Sequence, residues 1–340
     1  MYFCTLKKPI IMLLGEVLSI CTALSFTTGA LFAETASKRI GSLPLNVTRM
    51  VMSIVLLAAT LWVIMGTPYP RYADSATWLW LMLSGLIGYV LGDYCLFKGY
   101  IIIGSRFGQL LQTLSAPTAA ITAWILLGES MRPIALIGMV VVLIGISMSV
   151  LAKDDGEEKS SSTGWKLKFP IKGILFGCGA GIGQGVGLVI SKIGLTHYNA
   201  AVEAQGLLTT SVAEGALLPI PMSISIPFAG TMIRAFIGLA GFSIALLLFS
   251  VNGKEQLSHA WHDRKSLWCA LASTIFGPFV GVSLSLMATL YTSTGIAQTL
   301  MALSPIFIIA PSAIIFHQKV TALEVFGAFV SVAGACLFFR

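Results

Sequence analysis

The chain has 340 residues, of which 56% are hydrophobic and 10% are charged, with a net charge of +7 and a mean hydropathy of +0.89. Soluble domains carry about 25% charged residues, so this composition excludes an ordinary soluble domain and predicts an integral membrane protein. The basic residues are scattered between apolar runs, which indicates membrane flanks rather than a nucleic-acid surface. The six cysteines form neither a CxxC pair nor a Cys/His cluster, so no disulfide framework or zinc site is indicated.

Apolar runs long enough to cross a bilayer follow one another along the chain, since a spanning helix needs about 20 residues. They lie near 10–33, 44–65, 77–100, 105–127, 133–152, 171–194, 229–251, 267–290, 293–316 and 321–339. Helices are predicted because an open sheet edge cannot be satisfied in lipid. The first run is longer than the apolar core of a signal peptide, about 7–15 residues, so we interpret it as a retained span.

Two segments between these runs need separate interpretation. Residues 153–169 are hydrophilic, with an acidic run and a serine run, which is typical of a flexible connector. Residues 200–222 are apolar but carry Glu203 and Glu214 and end in two prolines. A glutamate at the centre of a span costs about 2.5–3.5 kcal/mol. We therefore expect 200–222 to be an insertion over the bundle or at the membrane surface rather than an eleventh span.

Part of the sequence is written twice. Residues 105–145 recur 189 positions later, so that Gly138 and Gly145 are matched by Gly327 and Gly334. This predicts an all-α integral membrane protein of ten transmembrane helices in two five-helix repeats, at 10–152 and 171–340. A hydrophilic linker occupies 153–170, and the second repeat carries an insertion at about 195–228. An odd number of helices makes the repeats inverted, a plan that secondary transporters use, with the binding site near the midplane.

The repeated motifs resemble the EamA-type unit of the drug/metabolite transporter superfamily. They read Leu114-Ser-Ala-Pro117, Leu127-Gly-Glu129, Gly138 and Gly145, and the second copy has His317-Gln318 where Gly-Glu would stand. The resemblance implies ten helices, a central cavity and alternating access that moves metabolites such as amino acids, often outward. It also implies cytoplasmic termini. The distribution of Lys and Arg around ten spans instead favours termini on the outside, so the two indications disagree on sidedness.

Asp93 is the sharpest candidate for transport chemistry. A carboxylate inside a span is costly unless it faces a cavity or a partner, and helical spacing places Tyr89 and Tyr100 on its face. Asp93 is either a protonatable group, which binds a substrate amine or couples transport to protons, or a structural acid paired with Arg49, Lys98 or Arg106. The second repeat has Val282 at this position, so any such chemistry is asymmetric.

Other polar side chains inside the predicted spans are further candidates for substrate binding or coupling: Glu16, Arg49, Gln109, Gln112, Gln184, Arg234 and Gln298. An arginine offers a fork of donors to an anionic group, but it can also snorkel to headgroups or pair with an acid. The amides can bind substrate or join helices, and the glutamate can be a coupling or an interfacial acid. Glycines alternating from Gly177 to Gly187 around Gln184 indicate close helix packing or a hinge.

Together these patterns predict a secondary transporter of small polar metabolites, plausibly an amino-acid or related metabolite exporter, which is not an enzyme and needs no cofactor. Its expected partners are a small-molecule metabolite, protons and the lipid bilayer, with no nucleic acid. We expect a multi-pass protein of the cell membrane, namely the bacterial inner membrane. The alternatives are a sugar or nucleotide-sugar carrier of the same superfamily and a non-transporting membrane scaffold. An intramembrane enzyme lacks a GxSxG or HExxH motif.

Overall fold

The computed structural model describes residues 2–128, 133–150, 170–206, 222–250, 253–292, 294–316 and 320–337. Within these ranges every regular element is a helix. The predicted linker at 153–169, most of the apolar segment at 200–222, Glu129 and His317-Gln318 lie outside the described residues. The predictions about them stay predictions.

The helices are α1 (Tyr2–Ile40), α2 (Ser42–Met65), α3 (Ser75–Gly85), α4 (Tyr94–Gln112), α5 (Ser115–Leu127), α6 (Pro133–Val150), α7 (Ile171–Glu203), α8 (Met222–Phe249), α9 (Gly253–His262), α10 (Arg264–Thr274), α11 (Val280–Tyr291), α12 (Thr294–Met301), α13 (Ser304–Phe316) and α14 (Ala322–Leu337). Short π-helices at Leu86–Asp93 and Ile275–Phe279 join α3 to α4 and α10 to α11.

Within the described ranges, six stretches are long and apolar enough to cross a membrane. They are Leu13–Ile40, Ser42–Met65, Ser75–Gln112, Ile171–Glu203, Ile224–Phe249 and Arg264–Tyr291. Three shorter apolar helices cover Ser115–Leu127, Ser304–Phe316 and Ala322–Gly334. Large apolar side chains such as Leu248 and Ile314 remain exposed on the outside of the bundle, as expected of surfaces that face lipid. The protein is therefore a multi-pass membrane protein, while the count of ten spans stays a prediction.

Helices that pack together in one combination have counterparts in the other half of the chain that also pack together. Helix α1 packs against α11, and its counterpart α7 packs against α4, the counterpart of α11. Helix α1 also contacts α12 and α13, as α7 contacts α5. Two pairs consist of counterparts alone, since α2 packs against α8 and α6 against α14. The duplicated sequence thus folds into two halves related by an approximate two-fold exchange.

The crossing of α6 and α14 shows this exchange at atomic detail. A Cβ atom added to Gly145 would lie 2.6 Å from the carbonyl oxygen of Gly327, and one added to Gly334 would lie 2.9 Å from that of Gly138. The hydroxyl of Ser331 approaches the carbonyl of its own counterpart, Val142, at 3.5 Å. The four repeated glycines are therefore explained by packing, because small residues let two membrane helices approach closely.

Both halves interrupt their helices at matching places. The two π-helices begin at Leu86 and Ile275, which are 189 positions apart, the period of the repeat. A π-turn inserts an extra residue into a helix and is frequent at functional sites. Farther on, the chain leaves helical geometry at Gly104, with φ 80° and ψ 165°, and at Thr292, with φ −133° and ψ 168°.

A second interruption divides the helix predicted over 105–127. Residues 113 and 114 form a turn between α4 and α5, and residues 302 and 303 form the corresponding turn between α12 and α13. The helices predicted over 105–127 and 293–316 are therefore divided at these turns, and the count of each as one span stays a prediction. Broken helices are tolerated inside a membrane where they line a cavity or are buried in protein, and both turns lie at the central cavity.

Helix α7 uses its alternating glycines to approach two neighbours at once. An added Cβ would lie 2.9 Å from the Cα of Gly92 if placed on Gly183, and 2.9 Å from the Cα of Gly88 if placed on Gly187. On the adjoining side, Gly181 and Gly185 meet the turn between α4 and α5. These contacts favour close packing over a hinge, and α7 runs without interruption from Ile171 to Glu203.

Candidate functional site

A cavity lies between the two halves and has two adjoining lobes. The first has about 620 Å³ of empty volume and the second about 480 Å³. Both lobes are lined by the same five side chains: Phe26, Gln109, Gln112, Gln184 and Val282. Arg234, Gln298 and Ser304 line the first lobe, and Arg49, Asp93 and Tyr100 line the second. Asp93, Gln109 and Gln112 belong to the interrupted segment of the first half, whereas Arg49, Gln184 and Arg234 are contributed by α2, α7 and α8.

Asp93 ends the first π-helix and is 94% buried. Its Oδ1 accepts a hydrogen bond of 2.7 Å from Nε2 of Gln184 on α7. Its Oδ2 lies 3.7 Å from Nη1 of Arg49 on α2. Of the three cations considered as partners from sequence, Arg49 is the one paired with it, whereas Arg106 lies 3.1 Å from Glu324. A buried charge must be paired or hydrogen-bonded, and Asp93 is both.

The guanidinium of Arg49 is held on several sides. Its Nη1 donates to Oδ1 of Asn46 at 3.3 Å, and its charge lies 4.4 Å from the ring centre of Phe97. Cation–π contacts of this kind stabilise a desolvated guanidinium. Together with Asp93, these contacts satisfy part of the guanidinium, although its Nε has no hydrogen-bond partner among the described residues.

Arg234 on α8 is equally buried, with 3% of its surface exposed, but its surroundings differ. Its charge lies 4.7 Å from the ring centre of Tyr89. Within the described part of the chain, Arg234 forms no ion pair, and its Nε has no hydrogen-bond partner. The hydroxyl of Tyr89 is likewise buried and without a hydrogen-bond partner there. Two donors next to the cavity are thus left unused.

Each of the two arginines extends from its own half to a π-helix of the other half. An added Cβ on Gly277, in the second-half π-helix, would lie 2.6 Å from Nη2 of Arg49. On Gly88, in the first-half π-helix, it would lie 2.8 Å from Nη2 of Arg234. Each arginine therefore fits against a glycine of the other half, where any side chain would displace it. The close approach of a guanidinium explains why both π-helices carry glycine at this position.

The amides predicted as candidates lie around the same cavity. Gln109 donates a 2.9 Å hydrogen bond to the hydroxyl of Tyr100, while Gln112 and Gln298 line the first lobe. Gln184 bridges Asp93 and the carbonyl of Gly88, with a distance of 3.2 Å to that carbonyl. Gln184 thus joins two helices, whereas Gln112 and Gln298 face the cavity, where their role in substrate binding stays a prediction.

One candidate lies apart from this cavity. Glu16 is half-buried on α1 and lines neither lobe. The acid of α1 that the structure buries completely is Glu34, which accepts a 2.7 Å hydrogen bond from the backbone N–H of Ser105 and pairs with Lys38 at 2.5 Å. Ser105 directly follows the interruption at Gly104, so Glu34 binds the start of the second part of α4.

Sequence reasoning missed several side chains of the cavity, namely Phe26, Thr113, Ser285 and Ser304, and it also missed Asn46, which holds Arg49. Ser304 could have been found, since it starts the repeated proline motif, and its hydroxyl donates to the carbonyl of Ala23 at 3.1 Å. Phe26 gave no signal, because an aromatic residue within an apolar run is ordinary.

His259, His262 and Asp263 form a small polar cluster where α9 ends and α10 begins. Asp263 caps α10 and pairs with Arg39 at 2.8 Å. Hydrogen bonds from Ser266 and Arg39 lower the pKa of Asp263 to about 2. His262 contacts the carbonyl of Ser258 at 2.8 Å. The acid of this cluster is therefore engaged in connecting α1 to α10.

The fold and the cavity define a class: a multi-pass helical membrane protein whose duplicated halves enclose a polar central site. The profile of the EamA-like transporter family matches residues 13–151 and 216–340. The chain belongs to this family, and hence to the transporters of the drug/metabolite superfamily. Helix α7 lies between the two matched segments.

Solved structures support the fold. Of 27 matching chains, one described only as "Crystal structure of protein" aligns with a TM-score of 0.56 at 14% identity. The alignment covers 95% of this chain and 97% of that one, so nearly the whole arrangement of helices is shared. No match was found among curated proteins.

Proposed function

We propose that this transporter is a secondary carrier that moves a small polar metabolite by alternating access, with no ATP hydrolysis. The proposal is based on the positions of two arginines. Arg49 and Arg234 each contact the π-helix of the other half at the cavity. Substrate bound there touches both halves, so a change in their relative position would alter the site. The alternative of a non-transporting scaffold gives no reason for a buried polar cavity, because buried charge is costly.

We further propose that the two halves are inverted five-helix repeats with ten spans in all. The symmetric packing of helices, including the counterpart pairs α2 with α8 and α6 with α14, supports this arrangement. The repeat boundaries at 10–152 and 171–340 place α7 as the counterpart of α1. Location in a bacterial inner membrane and metabolite export remain part of the proposal.

Asp93 is our candidate for proton coupling. Its carboxylate is the one acid that lines the cavity among the described residues, and it faces Arg49 at 3.7 Å. Protonation would cancel its charge and release Arg49 from the ion pair. A change of charge in the substrate site gives a direct physical link between proton binding and substrate binding.

The test is uptake into proteoliposomes from a mixture of amino acids, organic acids, sugars and nucleosides, analysed by mass spectrometry. A carrier gives saturable accumulation of one chemical class over protein-free liposomes. A scaffold gives none, which would overturn the proposal. Uptake restricted to sugars or nucleotide sugars would instead favour the rival carrier.

The coupling role of Asp93 has its own test. We expect Asp93→Asn to abolish accumulation driven by a proton gradient while exchange of substrate across the membrane continues, because the amide keeps the shape and cannot be deprotonated. The purified variant should elute as the wild type does in size-exclusion chromatography. Accumulation at the wild-type rate would rule out the coupling role and leave the carrier proposal standing.

A further inference from the structure

The cavity carries an excess of one positive charge. Its charged side chains within the described residues are Arg49, Arg234 and Asp93, which makes two cations and one anion. All three are more than nine-tenths buried. Removing an unbalanced charge from water is costly unless a counter-charge is supplied. In this protein the described side chains around the cavity do not supply it.

The excess charge is located at Arg234 rather than at Arg49. Asp93 faces Arg49 at 3.7 Å, whereas the position in the second half that corresponds to Asp93 is Val282. Arg234 consequently has an aromatic ring on one side, the glycine surface of Gly88 on another and open volume in the first lobe. A guanidinium held in this way is a fixed fork of donors.

A second unused donor lies beside it. The hydroxyl of Tyr89 is buried without a hydrogen-bond partner among the described residues, and the same holds for Nε of Arg234. Buried donors are nearly always satisfied in folded proteins, and beside the open volume that Arg234 lines, a ligand that accepts hydrogen bonds would satisfy this pair. One planar carboxylate can accept from a guanidinium and a hydroxyl together.

The site is correspondingly poor for a substrate amine. Both oxygens of Asp93 face donors, one from Gln184 at 2.7 Å and the other from Arg49 at 3.7 Å. A substrate ammonium near Asp93 would also lie close to two guanidinium groups. The rings of Tyr89 and Phe97, which could hold a cation, already contact Arg234 and Arg49.

From this geometry we infer that the substrate is a small organic monoanion whose carboxylate binds Arg234 and accepts a hydrogen bond from the Tyr89 hydroxyl. The inference rests on the proposed carrier function and narrows its substrate class. A single negative charge balances the cavity, whereas a dianion would overcompensate it. An ordinary zwitterionic amino acid would bring an ammonium close to two guanidinium groups, while Asp93, the one acid that lines the cavity among the described residues, already faces Gln184 and Arg49.

The test compares ligands that differ in charge but share a skeleton. Purified full-length protein in detergent is titrated, with its melting temperature as the readout, using lactate, lactamide, alanine and malate. A second set of phenyllactate, its amide and phenylalanine covers a larger side chain, in keeping with the aromatic lining. A ligand that binds the folded state raises its melting temperature. We expect stabilisation by a monocarboxylate and none by its amide.

Variants then locate the carboxylate. Arg234→Gln should weaken monocarboxylate binding by about 100-fold, since it removes the charged partner of a buried pair. Arg234→Lys should restore part of the affinity. Tyr89→Phe keeps the ring beneath Arg234 and should weaken binding by about 10-fold through loss of one hydrogen bond to a charged group. Arg264→Gln, at an exposed arginine away from the cavity, is the matched control and should bind as the wild type does.

The outcomes separate this inference from the proposed function. Stabilisation mainly by zwitterions, amides or dianions, by no monocarboxylate, or equally in Arg234→Gln and the wild type would overturn the inference. If proteoliposomes still accumulate a metabolite in that case, the carrier proposal stands. If monocarboxylates bind through Arg234 but no solute is transported, the binding site stands and the carrier proposal fails.

Discussion

The two halves of the cavity have nearly the same shape but different charge. In the first half, Arg49 faces Asp93 at 3.7 Å. In the second half, Arg234 has a buried tyrosine ring at 4.7 Å, and Val282 stands where the acid would be. The shared features are glycines and π-helices, which build the site. The difference in charge lies in a single carboxylate, and it decides which arginine is left to bind a substrate.

The largest expected effect comes from making the halves alike. Val282→Asp would place a carboxylate opposite Arg234, pair it and bring the charge of the cavity to zero. We expect the affinity for a monocarboxylate to fall by about 100-fold, measured by the same thermal titration. Val282→Asn is the control, since it adds a polar group of similar size without charge. Equal affinity in the two variants would show that charge balance does not select the substrate.

The close packing of α7 against the first half can be tested by substituting its glycines. At Gly183 an added Cβ would lie 2.9 Å from the backbone Cα of Gly92, whereas at Gly179 its nearest neighbour is the Cys95 side chain at 3.1 Å. Backbone cannot move aside as a side chain can. Gly183→Ala should therefore be less stable than Gly179→Ala by about 1–3 kcal/mol, the usual cost of overpacking.

The measurement is unfolding of both variants in the same detergent. Any gain in helix propensity from alanine is common to the two, so the difference between them reports the packing alone. A Gly183→Ala protein as stable as Gly179→Ala would show that α7 can move away from the first π-helix at little cost. That result would revive the hinge interpretation of the alternating glycines.

The smallest effect is expected outside the cavity, at the ion pair of Arg39 and Asp263. Because the folded state holds the pKa of Asp263 at about 2, below its ordinary value of about 4, the ionised carboxylate stabilises the fold above pH 4. This contribution is lost as the pH falls towards 2.

Asp263→Asn should therefore lower the melting temperature slightly at pH 7, and the difference from the wild type should shrink below pH 4. A difference that stays constant between pH 7 and pH 3 would mean that Asp263 acts through its shape as a helix cap rather than through its charge.

Much of the architecture could be read from the sequence because hydrophobicity and repetition are long-range signals. The apolar runs gave the helices, and the 189-residue period identified the counterparts that pack together. The interruptions were harder to predict. Leu86–Asp93 and Ile275–Phe279 have no composition that distinguishes a π-helix from an α-helix, and the turn after Gln112 lies within an apolar run. Tertiary contacts, rather than local sequence, decide these places.

The residues of the site could be predicted where a charged side chain inside a span carries a large free-energy cost. Residues without that cost could not be predicted. Asp93, Arg49 and Arg234 stand out because charge inside a span must face a cavity or a partner. Their partners did not stand out: that Arg234 would lie over Tyr89 from the other half depends on how the halves are placed. Glu16 is also an acid inside a predicted span, yet it lies apart from the cavity. An acid only two turns inside a helix can remain half-buried near the interface.

The crossing of the arginines has a consequence for the origin of this chain. Neither half can occupy the glycine niche of its own π-helix, because the arginine that fits against Gly88 belongs to α8 and the one that fits against Gly277 belongs to α2. In a single unit, the glycine of the π-helix would have no arginine packed against it, and the arginine would have no glycine surface to pack against. Such a unit becomes complete only beside a second copy of itself. Because both copies stand in one chain, each position can carry a different residue, as Asp93 and Val282 do.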